Sequence, residues 1–165
     1  MIVERTETDK EVRIERVFNA PRELVFKAWT DPECLERWYA PRGCSIEIRR
    51  MEVREGGRLH TCIHTDGIGD CWVKGVYLEV AVPERIKYTM SLSDEYGGEP
   101  SESNTGKDPD WPSETTVTVT FEEQDAKTLV TLHQTVSESI ARRTGAYPSW
   151  IQMMDRLEEQ LAATH

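Results

Sequence analysis

His60, Cys62 and His64 alternate along one short segment. Imidazole and thiolate are ligands for zinc-type ions, and alternate residues of a strand project to one face. Along a straight strand such neighbours stand roughly 6.6 Å apart, so the three need help to close on one ion. Cys71 lies where a hairpin could supply that help, its face depending on the register of the turn. The plainer reading is polar lining of a pocket or exposure at the surface. His133, between Thr131 and Thr135, is a second candidate. Imidazole exchanges protons near neutrality, and Glu79 or Glu114 could join it in space, although nothing in the spacing demands this. A structural or surface histidine is the alternative. Cys34 stands near the start of a short helical segment, where helix-end N–H groups lower a thiol pKa, unless it is simply a buried inert thiol. No GxSxG, HExxH or glycine-rich phosphate loop occurs, so no reaction is assigned.

The elements that must position these residues are legible from periodicity. Val12 and Ile14 alternate with charged neighbours and mark a first strand over 11–18. Asn19-Ala20-Pro21 stops it and opens a short helix with Leu24, Val25 and Ala28 on its apolar face. Asp31-Pro32 repeats the signal, cap followed by proline, for a second short helix carrying Leu35 and Trp38 and ended by Pro41 and Gly43. Ile46 and Ile48 begin a series of strands. Next come 59–65, 71–82 after the turn Asp66-Gly67-Ile68-Gly69-Asp70, and 84–92 after Val82-Pro83-Glu84. Two more, 115–121 and 128–135, flank the acidic turn Glu122–Asp125. Short links between consecutive strands predict an antiparallel meander. Trp150, Met154, Leu157 and Leu161 then recur at helical spacing, with Ile151 and Met153 widening the stripe, and residues 138–145 form a turn or short helix before them. Residues 93–114 are a polar insertion around Tyr96 and Trp111, either a surface loop or a lid or partner-binding segment.

The chain's 165 residues suit one domain over 1–165. Its 30 acidic residues against 20 basic ones, a formal net charge of −10, repel nucleic-acid phosphates. The N-terminal residues lack signal-peptide character and no apolar run is long enough to span a bilayer, which predicts a cytoplasmic protein without membrane insertion. In a reducing compartment Cys34, Cys44, Cys62 and Cys71, with no CxxC spacing, are expected to stay thiols.

Phe18-Asn19-Ala20-Pro21, Val25–Pro32, Leu35, Trp38, Tyr39 and Pro41 together resemble the opening of the Hsp90-ATPase-activator-homologue family. That family lies within the START-like, Bet v 1-like superfamily. Gly56-Gly57, Gly75–Val80, Pro83–Ile86, Tyr88-Thr89, Glu114–Phe121 and the closing Gly145, Trp150, Met154 and Leu157 extend the resemblance over residues 11–161. It implies an α+β helix-grip fold: a curved antiparallel sheet, two short helices after the first strand, and a long C-terminal helix over a cavity. The insertion at 93–114 is longer than the family's usual connection there.

Trp29, Trp38, Trp72, Tyr77, Tyr88, Trp150, Met153 and Met154 describe an ordinary core equally well, whereas the resemblance implies a cavity. Its expected lining is Trp38, Trp72, Tyr88, His133, Trp150 and Met154. The leading expectation is a binding protein without a cofactor, holding a small hydrophobic or amphipathic molecule between sheet and helix. One alternative is a co-chaperone-like module that meets a protein partner through its acidic surface and the 93–114 loop. Another is a hydrolase or cyclase using His133. An open sheet edge leaves a homodimer available.

Overall fold

The computed structural model describes residues 10–100 and 108–164; the middle of the polar insertion, 101–107, lies outside them. Strand β1 (Glu11–Phe18) leads into helices α1 (Arg22–Thr30) and α2 (Pro32–Leu35). Strands β2 (Cys44–Met51), β3 (Arg58–Thr65), β4 (Gly69–Ala81), β5 (Arg85–Leu92), β6 (Thr115–Gln124) and β7 (Lys127–Ser137) follow. Helices α3 (Glu138–Thr144) and α4 (Ala146–Thr164) end the described chain.

The strands form one antiparallel sheet in the order β1-β7-β6-β5-β4-β3-β2, a meander closed by β1 pairing with β7. This is the predicted topology, with boundaries shifted at several elements: β4 already starts at Gly69, inside the expected turn, and β7 runs on to Ser137. β6 runs on through Gln124, because Glu122 and Glu123 pair with Leu129 and Thr128, so the turn shrinks to Asp125-Ala126. α2 ends at Leu35, yet the Trp38 and Tyr39 amides still donate to the Leu35 carbonyl (3.2 and 3.0 Å) and carry Trp38 inward beyond the helix.

Local chemistry sets the helix ends. The Asp31 carboxylate accepts the Glu33 amide (2.9 Å) with Pro32 at the first helical position. The Ser137 hydroxyl accepts the Ile140 amide (3.2 Å) at the start of α3. Gly145, at φ 91°, stops α3 in the left-handed region and lets α4 leave in a new direction.

Trp150, Met153, Met154, Leu157 and Leu161 of α4 are buried, as periodicity requires of an amphipathic helix on a concave sheet. They meet Val117, Val119 and Phe121 of β6, Val130, Leu132 and Val136 of β7, and Phe26 and Trp29 of α1 in one apolar cluster. The solvent side of α4 is tied to the chain opposite it. Arg16 binds Asp155 (2.7 Å), Arg42 pairs with Glu159, and the Arg156 guanidinium donates to the carbonyls of Ala40 and Arg37.

Candidate functional site

The centre of the grip is filled. Trp29 packs edge-on against Trp38 (ring centroids 4.7 Å) and stacks on Trp150 (6.5 Å), while Tyr39 meets Trp150 edge-on (5.8 Å). Most buried polar groups find a partner, as those of Trp38, Tyr39 and Tyr88 do in this aromatic layer. Trp38 Nε1 donates to the Ala28 carbonyl (3.1 Å) and the Tyr39 and Tyr88 hydroxyls share a hydrogen bond (2.8 Å). Burial raises both phenols, Tyr39 to about 12, although the Tyr88 hydroxyl opposes the rise at Tyr39. Trp29 Nε1 is a buried donor without a protein acceptor. Between Trp29, Leu59, Thr61, Tyr77 and Tyr88 only about 10 Å³ remains, no more than one water requires.

Space opens instead toward the junction of α3 and α4. A cleft of about 270 Å³ is bounded by Ile63 of β3, Cys71 and Val73 of β4, Met90 and Leu92 of β5, and Trp111 of the insertion. Thr115 and Gln134 supply polar atoms at its wall, and Thr144, Gly145, Ala146 and Ser149 its helical side. Gln134, only 2% exposed, accepts from Trp150 Nε1 (2.9 Å) and donates to the Thr115 hydroxyl (3.0 Å). An apolar recess with a few fixed hydroxyl and amide groups is the composition of a small-ligand pocket, at the low end of the usual volumes.

Of the six expected lining residues, Trp38, Tyr88, Trp150 and Met154 are buried on the inner side. They build the filled centre, and none of the four borders the cleft. Trp72 and His133 are corrections: both point from the outer face. Trp72 lies under the Arg49 guanidinium (4.6 Å) and beside His60 (5.2 Å). His133 Nε2 meets the Glu11 carboxylate (2.9 Å) at 37% exposure. Glu79 is taken by Arg85 (2.7 Å), and Glu114 is exposed before β6, so no His133–carboxylate pair opens on the cleft. The physical reason is strand phase. The next residues along, Gln134 and Cys71 or Val73, are the ones that face inward. Cys34 follows the inert-thiol reading and not the activated one. Burial, then the Asp31 charge, raises its thiol pKa rather than lowering it.

The outer face of β2, β3 and β4 holds a second cluster. His60, Cys62 and His64 do share that face, but they do not converge. His60 Nε2 turns to the Asp94 carbonyl (3.1 Å) and the Ser93 hydroxyl (3.3 Å). His64 lies between two carboxylates, Nδ1 against Asp70 (2.8 Å) and Nε2 against Glu47 (2.9 Å). Those bonds, Asp70's foremost, raise its pKa. Cys62 Sγ is 3.8 Å from the same Nδ1. Cys62 is fully buried, and that burial, helped by the Asp70 charge, pushes its thiol up to about 12. Cys71 borders the cleft, while its backbone N–H donates to the Cys62 sulfur. All four cysteines are thiols.

A curved seven-stranded sheet around a long C-terminal helix, with two short helices after the first strand, defines a helix-grip, START-like domain. Residues 19–162 match the family model described as "Activator of Hsp90 ATPase homolog 1-like protein", and the chain belongs to that family. Solved structures of similar fold include a protein from Staphylococcus epidermidis, with a TM-score of 0.76 and 26% identity over 95% of this chain and 92% of that one. A protein from Chromobacterium violaceum gives a TM-score of 0.74 and 23% identity over 92% and 97%. An AHSA1 protein from Silicibacter pomeroyi gives 0.72 and 19% over 94% and 100%. These likenesses carry the fold. No protein among the curated sequences matches the chain.

Proposed function

We propose that this chain is a binding domain whose cleft beside the α3–α4 junction receives an apolar group. The observation that carries this reading is the recess of about 270 Å³ between Ile63, Cys71, Val73, Met90, Trp111 and Gln134. The packed aromatic centre supports a modest occupant held at this end over a large one enclosed between sheet and helix. Burial of apolar surface would drive binding at about 25 cal/mol per Å² before ordering costs.

Two occupants suit the recess, a small hydrophobic molecule or an apolar side chain of a partner protein. The family's description as an activator of the Hsp90 ATPase favours the second, the co-chaperone-like reading. Titration with 1-anilinonaphthalene-8-sulfonate tests the recess itself. The expected result is emission saturating at one probe per chain, with affinity at least tenfold lower in Cys71→Phe, whose ring fills the space. Equal affinity in the variant would place the binding elsewhere. Adding both proteins to purified Hsp90 then separates the occupants. Faster ATP hydrolysis with the unaltered chain alone supports the protein partner, and an unchanged rate with both returns the recess to small molecules.

A further inference from the structure

The outer cluster on β2–β4 has no part in the cleft, and its donor set is that of a metal site. One ligand atom each from Cys62, His64 and Asp70 falls within a sphere where all pairs are closer than 4.8 Å. We propose that Cys62, His64 and Asp70 form a three-ligand site for a divalent zinc-type ion, with Glu47 orienting the His64 ring.

Geometry makes the first part of the case. Zinc bonds of 2.0–2.3 Å in a tetrahedron put neighbouring ligand atoms roughly 3.3–3.7 Å apart. The thiol of Cys62 stands 3.8 Å from His64 Nδ1, and the Asp70 carboxylate 2.8 Å from that nitrogen. A shift of a few tenths of an ångström up to roughly 1 Å, at a side chain beside a turn, opens the second distance to the range an ion needs. Asp70 is suited to that movement. It lies one residue into β4, beyond the turn that follows Thr65, with its side chain 51% exposed. Cys62 is buried at the floor of the sheet, whereas the side chains of His64 and Asp70 are partly exposed.

Glu47 makes the second part. Its carboxylate engages Nε2 of the same imidazole (2.9 Å) and is itself held by Arg49 Nε (2.6 Å). A metal-bound histidine nearly always gives its other ring N–H to a carboxylate or carbonyl, which fixes the tautomer with the opposite nitrogen toward the ion. Here that opposite nitrogen is Nδ1, the one facing Cys62 and Asp70. An ion entering takes the place of the Nδ1 proton now shared with Asp70 and of the Cys62 thiol proton, both of which pass to solvent. The Nε2–H···Glu47 bond stays. With three protein ligands, the fourth position of the tetrahedron belongs to water or an exogenous ligand, the open arrangement of reactive zinc centres. His60 stays outside, held by Asp94 and Ser93.

Titration of the reduced, chelator-treated full chain with cobalt(II) chloride tests the site, because a cobalt–thiolate bond has its own near-ultraviolet charge-transfer band. The expected result is that band together with visible bands of four-coordinate cobalt, saturating at one ion per chain and abolished by equimolar zinc. Cys62→Ser should lose the near-ultraviolet band. His64→Gln and Asp70→Asn should weaken binding at least tenfold, and Glu47→Gln about tenfold, the usual effect of losing such an orienting partner. Cys34→Ser, on α2, should leave the spectrum unchanged. Circular dichroism checks each fold. Should Cys62→Ser fail to fold, the half-exposed Asp70 and His64 variants decide the matter. Absence of the charge-transfer band in the unaltered chain at millimolar cobalt, or its persistence in folded Cys62→Ser, overturns the proposal.

Discussion

Gln134 does the work of a hinge pin between sheet, helix and cleft. Its carbonyl oxygen accepts the Trp150 indole N–H, its amide donates to Thr115, and both bonds are buried. Replacing it with leucine keeps volume but strands a buried indole donor, a loss of about 1–3 kcal/mol. Urea unfolding of Gln134→Leu should show that loss, and adding Trp150→Phe should recover part of it, since the second change removes the stranded donor. A strictly additive double variant would show that the bond contributes nothing. From sequence, His133, one position away, is the more conspicuous chemical group. Trp72 stands out there for its size, as a large side chain on a strand whose inward phase is open. Both misses are errors of one residue in strand phase, and the alternation of the apolar neighbours Leu132 and Val136 with Thr131 and Thr135 contained the correction. Asp70 reads as a turn former in the sequence, since only the hairpin register brings it back beside His64.

At the level of elements, the periodic segments were legible because caps and alternation are local properties. The aperiodic insertion was not, since its anchors act through space. Near its start, Asp94 accepts the amides of Tyr96 (2.9 Å) and Gly98 (2.7 Å). Toward its end, Asp108 accepts the Asp110 amide (2.9 Å) and binds Arg143 of α3 (3.1 Å). Trp111 is thereby brought against the core. The Gly98 amide foremost holds Asp94 below the ordinary value of 3.8, and the Asp110 amide foremost does so for Asp108. A depressed carboxyl stabilises the fold fully above the unfolded value and loses that contribution as pH falls through the folded one. The amide resonances of Gly98 and Asp110 should therefore shift in a step centred below pH 3.8, and asparagine at 94 or 108 should abolish the corresponding step. A midpoint at or above 3.8 would show that these anchors do not favour the charged form.

For the whole molecule, the helix is gripped only because the sheet curves, and one position marks where β4 crowds β5. A Cβ built on Gly75 would stand 1.9 Å from the Thr89 carbonyl oxygen, while the Thr89 hydroxyl accepts the Val76 amide (3.0 Å) in place of a regular ladder bond. Gly75→Ala must push these strands apart, a loss of about 1–3 kcal/mol by the usual scale of overpacking. Calorimetry should show a melting temperature lower by several degrees. An unchanged midpoint would mean that the strands separate freely there. The register shift that follows, between Tyr77 and Glu79, shows that this part of the sheet is irregular by construction.

From Leu59 to Lys74, parity assigns the sides of the sheet. Odd-numbered Leu59, Thr61, Ile63, Cys71 and Val73 look toward the helix, and even-numbered His60, Cys62, His64, Trp72 and Lys74 look away. The two strands agree because Cys62 stands opposite Trp72, an even residue across from an even one. Two unrelated surfaces are thus interleaved letter by letter in one short stretch of chain. Substitution can rewrite either surface while leaving the other's letters untouched, whereas inserting or deleting a single residue within either strand would exchange the two.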